Sequence, residues 1–227
     1  MKFSAVAFDL DGTLYPNYRF YIRLLPFLLK ERHLIGALGK ARTAIRESYK
    51  GQGVQESLDG DFYDIQARIM GEILEQPAEK VKEMTERLIY RGWEPIFKKI
   101  RLFPHVRDTL DAFRKEGIKL GLLSDFPPET KLKNLNISEY WDVVMSSEQT
   151  GRLKPDGKPF LDLAALMGMP PEKILYVGNS IPYDVEGSSR AGMKAAHIRS
   201  RWKRASSVKK ADFSFYDYRQ LCDYVLG

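Results

Sequence analysis

The sequence predicts an α/β fold: a doubly wound parallel sheet carrying an inserted all-helical segment. Three observations lead there. Short apolar runs bounded by turns occur at residues 3–8 and again from residue 118 onward, the pattern of strands buried on both faces. Helix-like segments lie between the later runs, as crossovers between parallel strands require. From residue 16 to about residue 100 the apolar spacing is helical throughout and no such run appears.

Phe3–Phe8 reads as the first strand and delivers Asp9 at its carboxyl end. Four more strands are expected at Ile118–Ser124, Trp141–Ser146, Ile174–Gly178 and Ala195–Arg199. Val106, Leu110 and Phe113 recur at i, i+4 and i+7 behind Pro104 and before Gly117, a helix with its own start and stop. A second crossover helix is expected from Lys158 to Met167. In the insert, helices are expected near Tyr18–His33, Ile35–Tyr49, Phe62–Leu74 and Ala78–Arg91, the last introduced by Pro77. The polar stretch Gly51–Gly60 separates its halves, and hinges fall near Pro16 and Ile100. The expected organisation is a sheet domain of residues 1–15 and 101–227, with residues 16–100 forming a helical cap over a sheet edge.

Composition excludes several classes. The 227 residues are 44% hydrophobic and 29% charged, and a chain of this size buries roughly 70% of its unfolded surface. One cysteine, Cys222, excludes an intramolecular disulfide, and Phe3–Phe8 is too short for a signal-peptide core, so a reducing, cytoplasmic location is expected. Phe20–Leu29 is broken by Arg23 and Pro26 and falls short of the roughly 20 apolar residues of a membrane span. The net charge is +6, and residues 17–50 hold all of the excess: Arg19, Arg23, Lys30, Arg32, Lys40, Arg42, Arg46 and Lys50 against Glu31 and Glu47. This stretch reads as a solvated helix face or as an anion-attracting cap, with Arg19 and Arg23, one turn apart and nearest the hinge, as candidates to meet an anionic substrate. Arg199, Arg201, Lys203 and Arg204 beside Trp202 mix charge with aromatic character. A loop after the last strand is the simpler account, and nucleic acid is not expected as a partner.

Ligands of open parallel sheets bind outside the carboxyl ends of the strands. The polar residues expected there are Asp9, Asp11 and Thr13 after the first strand, Ser124 and Asp125 at the second, Lys154 in the loop after the third, and Asn179, Ser180 and Asp184 after the fourth. Asp9 and Asp11, at i and i+2 on a strand end, point the same way and suit a nucleophile with an acid/base, or a shared hard-cation site. A carboxylate can attack phosphorus to give an acyl phosphate while magnesium and a lysine neutralise phosphate charge. Competing accounts are structural: a solvated turn for Asp9–Thr13, local backbone bonding for Ser124 and Thr13, a helix cap for Asp184, and for Asp125 the start of the Phe126–Pro128 turn. Other chemistries fail on pattern. There is no G-x-x-x-x-G-K-S/T loop, Gly51-Gln52-Gly53 lacks the third glycine of a dinucleotide fingerprint, and His33, His105 and His197 have no zinc spacing. Pro182 stands where a serine-hydrolase elbow at Gly178-Asn179-Ser180 would need glycine.

Taken in order, these segments resemble the four motifs of the haloacid dehalogenase superfamily, in the subclass with a helical cap between the first two. They are Asp9–Thr13, Leu122–Asp125, Lys154 within Arg152–Asp156, and Val177–Asp184 followed by Ala191-Gly192-Met193. The resemblance spans nearly the whole chain. It implies a Rossmann-like core with Asp9 as nucleophile and Asp11 as the acid/base that protonates the leaving group and then activates water. It implies that Ser124 and Lys154, with Thr13, hold the phosphate, that Asp125 lines the substrate cavity, and that Mg²⁺ rests on Asp9, the Asp11 carbonyl, Asn179 and Asp184. The dehalogenases lack the second aspartate of the first motif, so Asp11 argues for phosphate over carbon–halogen chemistry. Asn179 stands where the fourth motif usually has its first aspartate, and an amide oxygen ligates magnesium without supplying charge. The implied function is magnesium-dependent hydrolysis of a small anionic phosphomonoester through an aspartyl phosphate. Two alternatives stand beside it: a phosphomutase of the β-phosphoglucomutase kind, and a non-catalytic binder of a phospholigand or nucleic acid.

Overall fold

The computed structural model describes residues 2–49, 60–200 and 210–227. Lys50, nearly all of the Gly51–Gly60 stretch, and Arg201, Trp202, Lys203 and Arg204 lie outside the described residues. The chain runs β1 (Ala5–Phe8), then helices α1 (Asn17–Lys30), α2 (Arg32–Ser48), α3 (Phe62–Leu74), α4 (Ala78–Thr85) and α5 (Glu94–Phe97). It returns through α6 (Val106–Lys115), β2 (Lys119–Ser124), α7 (Glu129–Asn134), β3 (Val143–Ser146) and α8 (Gly157–Met167). The last elements are β4 (Ile174–Gly178), α9 (Glu186–Arg190), β5 (Lys194–Ile198), β6 (Phe213–Phe215) and α10 (Tyr218–Leu226).

The strands form one parallel sheet in the order β3-β2-β1-β4-β5-β6. This is the expected doubly wound architecture, with β1 at its centre. Side-chain alternation along β1 divides the packing. Ala5 and Ala7 join Phe160, Leu163 and Met167 of α8 on one face, while Val6 and Phe8 join Leu110 and Phe113 of α6 and Leu221 of α10 on the other. Phe8 pairs with Leu122 of β2 and Val177 of β4. That register brings Asp9, the next residue, level with the ends of both neighbours, and its N–H donates to the Val177 carbonyl at 2.9 Å.

Among the described residues, 17–97 supply helices and none of the sheet, but they do not pack as one block. Leu34, Leu38 and Ala41 of α2 close a separate apolar cluster with Met70, Val81 and Ile89, whereas Phe20, Leu24 and Phe97 belong to the sheet's own cluster with Tyr15. The helix expected over Ala78–Arg91 ends at Thr85 and passes into a widened π-type turn, Glu86–Tyr90. The break expected between His33 and Ile35 instead falls at Glu31. Two elements carry no anticipation in the sequence. β6 is three residues long, too short to alternate visibly, and α10 starts immediately behind it, capped by Asp217, whose side chain accepts from the Arg219 N–H at 3.0 Å.

α10 matters for the site, because the buried Tyr218 hydroxyl donates to the Thr13 carbonyl at 2.6 Å and so ties the chain's last helix to the loop after β1. Tyr218→Phe leaves that buried carbonyl short of a donor. The expected cost is about 1–3 kcal/mol, read as a lower urea midpoint at unchanged m-value.

Candidate active site

The order of strands reverses between β1 and β4, and at such a switch point the loops diverge and leave a crevice. Asp9, buried at the end of β1, faces it. Its Oδ1 accepts from Lys154 Nζ at 2.8 Å and its Oδ2 from the Thr13 hydroxyl at 2.7 Å. Lys154 arrives from the loop after β3 and is itself 2% exposed, close enough to total burial that its charge must be answered by protein groups. Its Nζ also reaches Asp184 Oδ1 at 2.8 Å, the Tyr176 hydroxyl at 3.3 Å and the Leu123 carbonyl at 3.4 Å. Burial works against this ammonium, but Asp184 and Asp9 hold its pKa well above the ordinary lysine range. Burial pushes the Asp9 carboxyl up to about 7; Lys154 opposes the shift, and the Asp184 and Asp11 carboxylates reinforce it.

Asp184 is positioned from behind. Its Oδ2 accepts from the backbone N–H groups of Asn179 at 3.1 Å and Ser180 at 2.9 Å. It therefore bonds the turn that precedes it, and the helix-cap account gives way, because the Tyr183 N–H donates to the Ser180 hydroxyl instead, at 3.4 Å. This arrangement depends on Gly178, where a Cβ would lie 2.3 Å from Asp184 Cβ. Gly12 has the same standing after β1: its φ is +88°, and a Cβ there would lie 2.3 Å from Asn179 Nδ2. Only glycine allows the Asn179 side chain to rest against the Asp9–Thr13 loop.

Asp11 is more open. Its Oδ1 accepts from the Tyr15 hydroxyl and its Oδ2 from Lys131 Nζ of α7 at 2.6 Å. Burial and the Asp11 charge together raise the Tyr15 phenol well above its usual range, so it stays a donor.

Two of the expected substrate ligands are placed otherwise. Thr13 is fully buried, and its hydroxyl is spent on orienting Asp9. Asp125, half-buried, has both oxygens engaged by protein groups: Oδ1 by the Ser147 hydroxyl at 2.6 Å and the Lys154 N–H at 3.3 Å, Oδ2 by Arg46 at 2.7 Å. Burial would raise its pKa, but Lys154, Arg42 and Arg46 outweigh it and hold the carboxyl below its ordinary value. Ser124, also fully buried, accepts from the Phe126 N–H at 3.2 Å.

The basic stretch is reassigned as well. Arg19 and Arg23 bond within α1, Arg23 to the Arg19 carbonyl. Arg42 and Arg46 of α2 are the residues that reach the sheet side. Arg42 is buried against Glu148 and donates to the Asp125 carbonyl at 2.7 Å. Arg46 donates to the Lys154 carbonyl at 2.8 Å. Tyr90, from the widened turn, donates to Glu148 at 3.0 Å. Tyr15, Lys131 and Glu148 have no sequence signal, because each meets its partner through the fold.

The metal ligands that the resemblance implies, the oxygens of Asp9, Asp184, the Asp11 carbonyl and the Asn179 amide, include no nitrogen or sulfur, a chemistry that suits a hard cation such as Mg²⁺. Among the described residues no three acidic, histidine or cysteine side chains converge as a metal cluster. Magnesium commonly takes only one or two protein carboxylates and completes its shell with water and phosphate, so the residues fit it.

A buried carboxylate at a strand end, paired with a lysine and followed two residues on by a second carboxylate, defines a hydrolase site of the α/β class. Comparison with known proteins gives the family. The model of haloacid dehalogenase-like hydrolases matches residues 3–192, and the chain belongs to that family. It is 29% identical to a glyceraldehyde 3-phosphate phosphatase of Methanopyrus kandleri, over 98% of this chain and 97% of that protein. It is 31% identical to a phosphoglycolate phosphatase of Salmonella paratyphi A, over 82% of this chain and 77% of that one. The crystal structure of a HAD phosphatase from Thermococcus onnurineus superposes with a TM-score of 0.66 at 26% identity, over 99% of this chain and 98% of that one.

Two outcomes are expected. Arg42→Met strands the buried Glu148 carboxylate and should cost about 3–5 kcal/mol, with Glu148→Gln in the same chain recovering much of the loss in a double-mutant cycle. In metal-free protein the folded state keeps the Asp9 proton to about pH 7, whereas the unfolded carboxyl releases it near 3.8. Stability contributed there is therefore complete below the unfolded value and lost as pH rises toward 7. Asp9→Asn should flatten that slope in urea melts between pH 4 and 8.

Proposed function

We propose that the protein is a magnesium-dependent phosphomonoesterase working through an aspartyl phosphate on Asp9, with residues 16–100 as its cap. The observation that carries the reading is the buried Asp9 carboxylate held by Lys154 and Thr13 at the switch point, with Asp11 two residues beyond. The phosphatase names of its relatives support it.

An Asp9 oxygen attacks phosphorus, and the bond to the leaving oxygen breaks. Asp11, oriented by Tyr15 and Lys131, gives its proton to that oxygen, so an alcohol departs. It then takes a proton from water, which attacks the acyl phosphate and releases inorganic phosphate with Asp9 restored. Lys154 neutralises charge on the transferring group and on Asp9, while the Ser124 hydroxyl and the amides after Asp9 supply donors to its oxygens. A bound magnesium ion, held by Asp9, the Asp11 carbonyl, Asn179 and Asp184, would supply further neutralisation of phosphate charge. Helices α1–α5 shield the crevice from bulk water, and Arg42 and Arg46 hold them to it. No described helix is long and apolar enough to cross a membrane, and one half-buried cysteine, Cys222, accords with a reducing cytoplasm.

Hydrolysis of an aryl phosphate with and without magnesium tests the reading. Asp9→Asn should lose at least about 10³-fold in kcat, and Asp11→Asn about 10²–10⁴-fold. Turnover that survives Asp9→Asn, or that ignores chelation of magnesium, refutes the mechanism. Asn179→Asp adds a charged oxygen and should lower the magnesium concentration needed for half-maximal rate; an unchanged requirement removes Asn179 from the ligand set.

A further inference from the structure

Beside Asp11 the second half of the insert and the start of α7 enclose a cavity of about 190 Å³. Five rings line it: Tyr63, Tyr90, Trp93, Phe97 and Phe126. Phe126 stands 6.1 Å from Tyr90 and 6.2 Å from Trp93, centroid to centroid. The cavity adjoins the reacting groups at two points. Lys131, also in its wall, bonds Asp11 at 2.6 Å, and Phe126 follows Ser124 and Asp125 directly in the chain.

Charge in the wall is unevenly disposed. Both cations are engaged: Arg91 Nε lies 2.8 Å from Glu86, and Lys131 is held by Asp11 while sitting 5.3 and 5.4 Å over the Phe97 and Phe126 rings. Glu94 and Glu129 line the same cavity, and among the described residues neither has an ion-pair partner. A second anionic group on an incoming ester would meet two carboxylates that have no ion-pair partner, with each cation of the wall already paired to an acid, a repulsive element of the kind that sets specificity. A flat apolar group would meet the ring faces, and an amine would gain both the rings and the carboxylates. An apolar cavity of about 150 Å³ accepts benzene, so this one accommodates a single ring.

We propose that this cavity is the leaving-group pocket and that the protein selects phosphate esters of small ring-bearing alcohols, neutral or amine-bearing, over esters that carry a carboxylate or a second phosphate. The proposal rests on the phosphomonoesterase reading for its chemistry, but the selectivity is measurable without turnover. Calorimetry on the magnesium-loaded Asp9→Asn protein compares phenyl phosphate, 2-phosphoglycolate and inorganic phosphate. Phenyl phosphate is expected to bind at least about tenfold more tightly than 2-phosphoglycolate, a factor within the range pocket contacts supply. Trp93→Leu should erode that advantage severalfold and leave inorganic phosphate unchanged. Glu129→Lys, at an exposed position tolerant of substitution, should tighten 2-phosphoglycolate and narrow the ratio. Equal or tighter binding of 2-phosphoglycolate overturns the proposal, as does phenyl phosphate binding no better than inorganic phosphate. The expected binding order, combined with no hydrolysis of either ester by the native protein, would sustain the pocket and refute the phosphatase reading instead.

Discussion

Lys154 Nζ stands 2.8 Å from carboxylate oxygens of both Asp9 and Asp184, in a position closed to water. Three charges brought out of solvent cost several kcal/mol each unless geometry and additional hydrogen bonds compensate. Here Thr13, Tyr176, the Leu123 carbonyl and the amides of Asn179 and Ser180 supply those bonds. The cluster joins the end of β1, the loop after β3 and the turn after β4, so three distant parts of the chain must meet within hydrogen-bond tolerance. Much of the local structure serves that requirement: glycines where backbones approach, a buried threonine behind Asp9, and a tyrosine from α10 holding the threonine's carbonyl.

The charge balance at the strand ends follows from the same constraint. Asp9, Asp11 and Asp184 carry three negative charges against the ammonium groups of Lys154 and Lys131. Burial, reinforced by the Asp184 and Asp11 carboxylates and opposed by Lys154, drives the Asp9 carboxyl up to about 7. Position 179 carries an amide and no charge, and Asp184 is held rigidly by two backbone N–H groups.

The insert and the sheet are joined through charge as much as through apolar packing. Arg42 and Arg46 cross from α2 to Glu148, Asp125 and the carbonyl of Lys154. Asp125 thereby links the helical layer to the loop that carries the lysine, since the same carboxylate accepts from the Lys154 N–H. Movement of α2 relative to the sheet would disturb the backbone at Lys154, whose carbonyl Arg46 holds. A stretch that is basic along its length is thus divided by the fold, with Arg42 and Arg46 turned to the sheet side and Arg23, Lys30, Arg32 and Lys40 exposed.

The sequence by itself determined the parallel strands, the helical insert and the identity of the residues at the strand ends, because those rest on local periodicity and on short motifs within single loops. Asp9, Asp11, Lys154 and Asp184 could all be read in that way. Even so, the inward turn of Asp125 and Thr13 could not, since it depends on Arg46, Ser147 and Tyr218, which lie far away in the chain. Nor could the choice of Arg42 and Arg46 over Arg19 and Arg23: all four sit on basic helices, and only the packing of α2 against the sheet decides which meet a carboxylate. The three-residue strand β6 and the aromatic cavity beside Asp11 belong to the same category. Their defining contacts join segments separated by tens of residues, and such contacts leave no period in a linear sequence. Tertiary structure alone decided them, because burial and partner geometry, not residue type, set what each side chain does.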